Sequence, residues 1–317
     1  MTLDDVSEEE VKQFNELLKI LKRFSEGGVT DWIEKPILVL LENTIPFFSN
    51  LVITDVFEEV KRITINRNVV GSNKRIHNIS QLKYPPVEKV TKYGRCNLPK
   101  QSVLYSTFLK LTALSEMKPK VGDLISETTW RVKNNQELIY SPIFKNQPID
   151  MSLLNPRTFE INQVYKKKLK EYPPYLQQKI DALLQFVTDE FTKRVDSQNH
   201  FDYIFSAFFS NKIFNEFEKG NIEAIYYPSV QGKLSFENLA IKAEAFENKY
   251  LLTEVHESIV IGDPSNGKGG YTMEGISDCN SFDYTTGKIF WEKGKFYQSD
   301  EHIHEIKKAF NVDFNED

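Results

Sequence analysis

The sequence is poor in residues that cross-link a chain or hold it in a membrane. Its 317 residues include two cysteines, Cys96 and Cys279. They lie too far apart to define a disulfide framework or a CxxC metal motif. The five histidines form no HExxH pair, so no metal site is expected. The longest aliphatic run, from Ile37 to Leu41, is far too short to span a bilayer, so no membrane partner is expected.

The sequence also lacks an excess of charge of one sign. It has 40 Lys and Arg against 45 Asp and Glu, a formal net charge of -5 and a pI of about 5.7. The short basic run Lys166 to Lys168 is typical of a solvated helix face. These features predict no direct nucleic-acid binding, which needs clustered basic residues. The acidic start, from Met1 to Glu10, does not resemble a signal or transit peptide, so a cytoplasmic protein is expected.

A helical N-terminal region is the first element that the pattern predicts. Ser7 with Glu10 forms a capping box, and apolar residues from Val11 to Phe24 recur at helical spacing until Gly27 and Gly28. Further helices are expected at 31–42 and 45–60. The sequence therefore predicts a helical extension over residues 1–58, followed by a main domain over residues 59–317.

The main domain mixes strand and helix patterns. Helices are expected at 107–117, 175–194, 203–218 and 301–310. Strands are expected at 63–65, 102–106, 121–132, 224–227, 250–261 and within 271–295. Strands on both sides of a helical middle indicate an α+β fold.

Three segments of the main domain stand out together. They are Arg67 at a strand end, the segment from Tyr93 to Pro99 with the strand and helix that lead to Glu116, and the segment from Ile225 to Ser229. Their order and spacing resemble the RES family, which is named for its Arg, Glu and Ser, over roughly residues 62–255. Two features depart from the family pattern: Cys96 follows the Gly-Arg pair where shorter members often have Trp, and the helical extension lies outside the minimal domain.

The resemblance implies a fold like that of the ADP-ribosyltransferases and a pocket for NAD as substrate. Members of the family are toxins of bacterial toxin–antitoxin pairs that degrade NAD by phosphorolysis or hydrolysis. Their usual partners are helix-turn-helix antitoxins. We therefore expect NAD, inorganic phosphate and such an antitoxin as partners of this chain.

The charged candidates suit the chemistry of NAD. Arg67 and Arg95 offer planar forks of donors that pair with phosphate oxygens, and each is a candidate to bind the pyrophosphate. Cleavage of the nicotinamide–ribose bond creates positive charge on the sugar, which a nearby carboxylate stabilises. Glu116 is the candidate for that carboxylate, with Glu127 as the next choice.

The remaining candidates are an aromatic residue and a serine. Tyr105 is suited to stack on the cationic nicotinamide ring. Ser229, after a proline that closes a strand, is suited to hydrogen-bond the nicotinamide amide or a phosphate, and Ser206 is the second candidate for the family serine. The residues do not decide whether the acceptor is phosphate, water or a protein. They also leave open a mono-ADP-ribosyltransferase and a non-catalytic NAD-binding module.

One motif is an expected decoy. The segment from Gly262 to Gly269 matches the spacing of a phosphate-binding P-loop, but Gly269 stands where the Ser or Thr ligand of magnesium belongs. The residues that follow favour a strand, whereas a P-loop leads into a helix. A hairpin loop is therefore predicted, with Lys268 dispensable. His302 and His304 are expected on a helix surface, because residues two apart point in different directions.

Overall fold

The computed structural model describes residues 6–45, 50–144, 156–195, 199–230, 236–264 and 270–314. In chain order its elements are α1 (Glu8–Glu26), α2 (Glu34–Thr44), β1 (Ile53–Asp55), β2 (Glu59–Ile65), α3 (Arg67–Val70), β3 (Val103–Thr107), α4 (Lys110–Met117), β4 (Leu124–Val132), β5 (Leu138–Pro142), α5 (Pro156–Leu169), α6 (Pro174–Thr192), α7 (Ile204–Asn215), β6 (Ala224–Pro228), β7 (Glu237–Lys242), α8 (Ala243–Lys249), β8 (Tyr250–Gly262), β9 (Thr272–Cys279), β10 (Lys295–Phe296) and α9 (Asp300–Phe310). The predicted α+β class is confirmed.

The chain is divided between two compact units. The first contains Met1–Asp55, Pro86–Val103 and Leu138–Lys242, and the second contains Val56–Pro85, Leu104–Glu137 and Ala243–Asp317. The N-terminal helices therefore share a unit with two later segments. The boundary predicted after residue 58, as the limit of a RES domain, stays a prediction.

Helix α1 begins as the sequence predicts. Ser7 and Glu10 make both hydrogen bonds of the capping box, which satisfies amide groups that the first helical turn leaves without partners. In the first unit its buried face includes Leu18 and Leu21. The hydroxyl of Ser25 donates to Glu190 of α6 at 2.7 Å, so α1 is tied to α6 by a buried polar contact as well as by apolar packing.

The strands of the first unit lie in the order β1-β5-β6-β7. Strand β1 pairs antiparallel with β5, β5 pairs parallel with β6, and β6 pairs antiparallel with β7. This arrangement corrects the helix predicted at 45–60: residues 53–55 form a strand, 59–65 form another, and residues 46–49 lie outside the described residues. The β-branched residues Val52, Ile53 and Thr54 favour extended backbone, because their χ1 freedom is restricted in a helix.

The strands of the second unit lie in the order β3-β2-β4-β8-β9-β10, and each neighbouring pair is antiparallel. Side chains alternate between the two faces of such a sheet. On one face, Ile63, Ile65 and Ile125 pack against Ala113 and Leu114 of α4. We call this side the α4 face.

The opposite face of the second unit's sheet contains a buried ion pair. The Arg75 guanidinium contacts Glu257 at 2.6 Å and lies over the Trp291 ring, 4.4 Å from its centroid. Arg75 also donates to Ser277 at 2.9 Å. These contacts tie the segment after α3 to strands β8 and β9.

Candidate functional site

Arg67 lies just after β2, at one edge of the second unit. Its Nη2 is 2.7 Å from Oδ1 of Asp123, and 45% of its side chain is exposed. Asp123 belongs to the turn that joins α4 to β4, where its amide donates to the Lys120 carbonyl. The ion pair with Asp123 leaves much of the Arg67 side chain exposed.

Glu116 lies in the last turn of α4 and is exposed. Helix α4 begins near Glu127, which Lys110 contacts at 2.6 Å, and ends in the turn that holds Asp123. The helix therefore ends at the edge of the sheet that also carries Arg67. A carboxylate near a helix C-terminus is disfavoured by the helix dipole, so local helix stability does not account for Glu116.

Tyr105 lies in β3, five residues before the start of α4. Thr107 of the same strand pairs with Lys61 of β2. Alternation along β3 therefore places Tyr105 on the α4 face with Lys61 and Ile63. Its side chain is partly exposed.

Arg62 is an arginine that the sequence analysis passed over. It lies in β2 on the face opposite α4, and its Nη1 donates to the Tyr105 carbonyl at 3.1 Å. Its Nε is buried and has no hydrogen-bond partner among the described residues. Loss of solvent lowers the pKa of Arg62 to about 10, so the group stays charged at neutral pH. One feature of the sequence could have drawn attention to Arg62: it directly precedes the β-branched residues that predict a strand at 63–65.

A row of ionisable side chains crosses the α4 face beside the helix. Glu127 of β4 pairs directly with His256 of β8, and His256 pairs with Asp278 of β9. Nδ1 of His256 contacts the Asp278 carboxylate. Lys61 lies 3.9 Å from Glu127 on the side away from His256. The row therefore joins α4, through Lys110, to a histidine–aspartate pair.

Arg95 belongs to the first unit and is engaged there. Its guanidinium donates to the carbonyls of Phe191 and Lys193, the second at 3.2 Å, and lies over the Tyr203 ring. These carbonyls lie at the C-terminus of α6, where backbone acceptors lack helical partners. In this structure Arg95 therefore caps α6 with its two terminal nitrogens. Its role in binding pyrophosphate stays a prediction.

The two candidate serines also belong to the first unit. Ser229 follows β6, is fully buried, and its amide donates to the Phe236 carbonyl at 2.7 Å. Ser206 lies in α7, where its hydroxyl donates to the Tyr203 carbonyl at 3.1 Å. The structure thus gives Ser206 a local helix contact and places Ser229 at the end of a buried strand.

The structure describes the residues that flank the P-loop-like segment and the two histidines of α9. Strands β8 and β9 pair antiparallel from Val255 to Gly262, so a strand and not a helix follows the P-loop-like segment. The segment 265–269, with Lys268, lies outside the described residues. His302 contacts Glu274, and His304 is exposed.

In the described parts of the chain, no cluster of three or more His, Cys, Asp or Glu side chains is suited to hold a metal ion. Within those same parts, no helix has the length and apolar character needed to cross a bilayer.

Comparison with known proteins adds no family. No protein-family model matches the sequence, and no curated protein matches it. The likeness to the RES family therefore rests on the motifs and their order.

Proposed function

We propose that this chain cleaves the nicotinamide–ribose bond of NAD and acts as the toxin of a toxin–antitoxin pair. The proposal depends on one observation: Arg67, which pairs with Asp123, and the last turn of α4, which contains Glu116, are at the same edge of the second unit's sheet. An anchored cation with a carboxylate at the same edge suits a substrate that carries a pyrophosphate and develops positive charge on a sugar.

In this proposal three residues of the second unit have separate tasks. Arg67 binds phosphate oxygens through the donors that Asp123 does not occupy. Glu116 stabilises the ribosyl cation, and Tyr105 stacks on nicotinamide. A helix-turn-helix antitoxin is included as a partner because the resemblance to the RES family implies one.

The test incubates the purified chain with labelled NAD and separates the products. We expect free nicotinamide to be released and no label to be transferred to protein. Arg67→Ala should weaken NAD binding strongly, because it removes a two-point phosphate contact. The matched control is Arg131→Ala, an exposed arginine of the same unit whose side chain pairs with Glu59 at 3.3 Å.

Other outcomes select the alternatives. Label on protein would identify a mono-ADP-ribosyltransferase, and binding without turnover would identify a non-catalytic module. If Arg67→Ala binds NAD normally while Arg62→Lys does not, the phosphate-binding arginine is Arg62. A melting temperature for each variant separates lost binding from lost folding.

A further inference from the structure

Helix α1 has apolar side chains on two adjacent faces. One face includes Leu18 and Leu21, which are buried, and packs against α6 within the first unit. The other face includes Leu17, Ile20 and Phe24, which are 40%, 43% and 43% exposed. Residues three and four apart on a helix are neighbours, so these three side chains form one continuous row. We call this row the α1 stripe.

The α1 stripe has the spacing of a surface that pairs with another helix. Single exposed apolar residues are common on proteins, whereas contiguous apolar surface marks an interaction site. The stripe advances three residues from Leu17 to Ile20 and four residues from Ile20 to Phe24. These are the steps between the core positions of two paired helices. A helix of another molecule is therefore the partner that this spacing fits.

Two residues of opposite charge flank the α1 stripe on the same side. Glu16 directly precedes Leu17, and Arg23 directly precedes Phe24. Because they are seven residues apart, which is two turns of a paired helix, they lie on the same side of the stripe. Glu16 contacts Lys19 at 2.7 Å and stays largely exposed. Arg23 is exposed and makes no ion pair among the described residues, so both charges are accessible to a partner.

The order of the two charges distinguishes between the two ways of pairing α1 with a copy of itself. In a parallel symmetric pair each residue lies level with its own copy, so Glu16 and Arg23 stay about 10 Å apart along the axis. In an antiparallel pair with its two-fold axis at Ile20, Leu17 lies beside Phe24 of the second copy. Glu16 likewise lies beside Arg23 of the second copy, and each offset along the axis is about 1.5 Å. The two-fold axis repeats both contacts.

We propose that the α1 stripe is a dimer interface, in which α1 pairs antiparallel with α1 of a second copy of this chain and Glu16 of each copy pairs with Arg23 of the other. The inference goes beyond the proposed cleavage of NAD and does not depend on it. Three apolar side chains per copy make an interface smaller than the standard size. We therefore expect a dimer that forms at about 10 to 100 μM and dissociates on dilution.

The experiment measures the mass of the full chain in solution by sedimentation velocity at about 1 to 300 μM. We expect monomer at the low end of this range and dimer at the high end. Ile20→Glu places two like charges at the two-fold axis and should leave the chain monomeric throughout. The matched control is Leu111→Glu, which changes an exposed leucine of α4 and should dimerise as the unaltered chain does.

Charge reversal tests the antiparallel order. Arg23→Glu places Glu16 beside another glutamate, and Glu16→Arg places Arg23 beside another arginine. Each variant alone should raise the dissociation constant of the dimer about tenfold or more, because two like-charge contacts replace two ion pairs. An equimolar mixture of the two variants should restore dimerisation, since both contacts between unlike copies are then ion pairs. Lys166→Glu, which reverses an exposed charge on α5, is the control and should dimerise normally.

The outcomes are separable. A chain that stays monomeric at about 300 μM would overturn the inference, and so would a dimer that persists in Ile20→Glu. Failure of the mixture to restore the dimer would refute the pairing of Glu16 with Arg23 of the second copy. Melting temperatures at about 1 μM, where every variant is monomeric, report folding separately. The presence or absence of NAD cleavage bears on the proposed function alone.

Discussion

At the scale of single residues, the arginines show what the sequence reveals and what it does not. Motif order singled out Arg67 and Arg95, and spacing alone gives no partner for either. In the structure Arg67 is anchored by Asp123, while Arg95 caps α6 with two nitrogens. Arg62, with its buried Nε, was hidden because its partner is a backbone carbonyl. Backbone contacts leave no trace in residue types.

The role of Glu116 is tested by a change that removes charge and little else. Glu116→Gln keeps the shape and one acceptor. Only interactions stronger in the transition state than in the ground state raise the rate. We therefore expect NAD turnover to fall by about two to three powers of ten, since roughly 3 to 4 kcal/mol of stabilisation is lost. Affinity for NAD should change less, because the phosphate contacts remain.

Turnover and affinity are measured together for this variant. Glu244→Gln, which removes an exposed carboxylate from α8, serves as the control. A folded Glu116→Gln protein that cleaves NAD at the wild-type rate would refute the assigned role. Glu127, buried beside His256, would then be the carboxylate to examine.

At the scale of elements, local signals were predicted well and long-range ones were not. The capping box located α1, and alternation located β8. The helix predicted at 45–60 was wrong, because β1 is extended through its pairing with β5, more than 80 residues later in the chain. The His256–Asp278 pair could not be predicted for the same reason: strand register joins its members, and no motif does.

The attachment of α9 to β9 should depend on pH. A hydrogen bond from His302 to Glu274, helped by Glu305, raises the pKa of His302 above its usual value. A raised folded-state pKa means that protonated His302 stabilises the fold below about pH 6.5, and that this contribution is lost as pH rises through the raised pKa. The melting-temperature difference between wild type and His302→Gln should therefore be larger at about pH 5.5 than at about pH 9.

His304→Gln is the control, since His304 is exposed on the same helix. A difference for His302→Gln that is the same at both pH values would show that its pairing with Glu274 carries no charge-dependent stability.

At the scale of the whole molecule, the order of strand and helix patterns predicted the α+β class but not how the chain is shared between units. Hydrophobic content and the spacing of hydrophobic residues indicate which helices and strands form. They carry no information on which distant segments join, and both units are assembled from three segments each. The expected extension over residues 1–58 was drawn at a change in pattern, and its boundary stays a prediction.

In cells, the proposed activity predicts a specific cause of growth arrest. Expression of the chain alone should lower total NAD as growth stops. Expression of Glu116→Gln should leave both total NAD and growth unchanged. Total NAD is measured after induction, with growth followed in parallel. Arrest with unchanged NAD would exclude this mechanism while leaving the fold unaffected.

The division into three segments per unit also has a consequence for biosynthesis. Strands β8, β9 and β10, half of the second unit's sheet, come from the segment that starts at Ala243. His256 and Asp278 emerge from the ribosome only with that segment. The α4 face therefore cannot assemble on a partly translated chain, so an activity that resides there would be absent until synthesis has passed residue 278 and the late strands have joined the early ones. Under the proposed function, this delay would give a partner that is already present time to bind before NAD is cleaved.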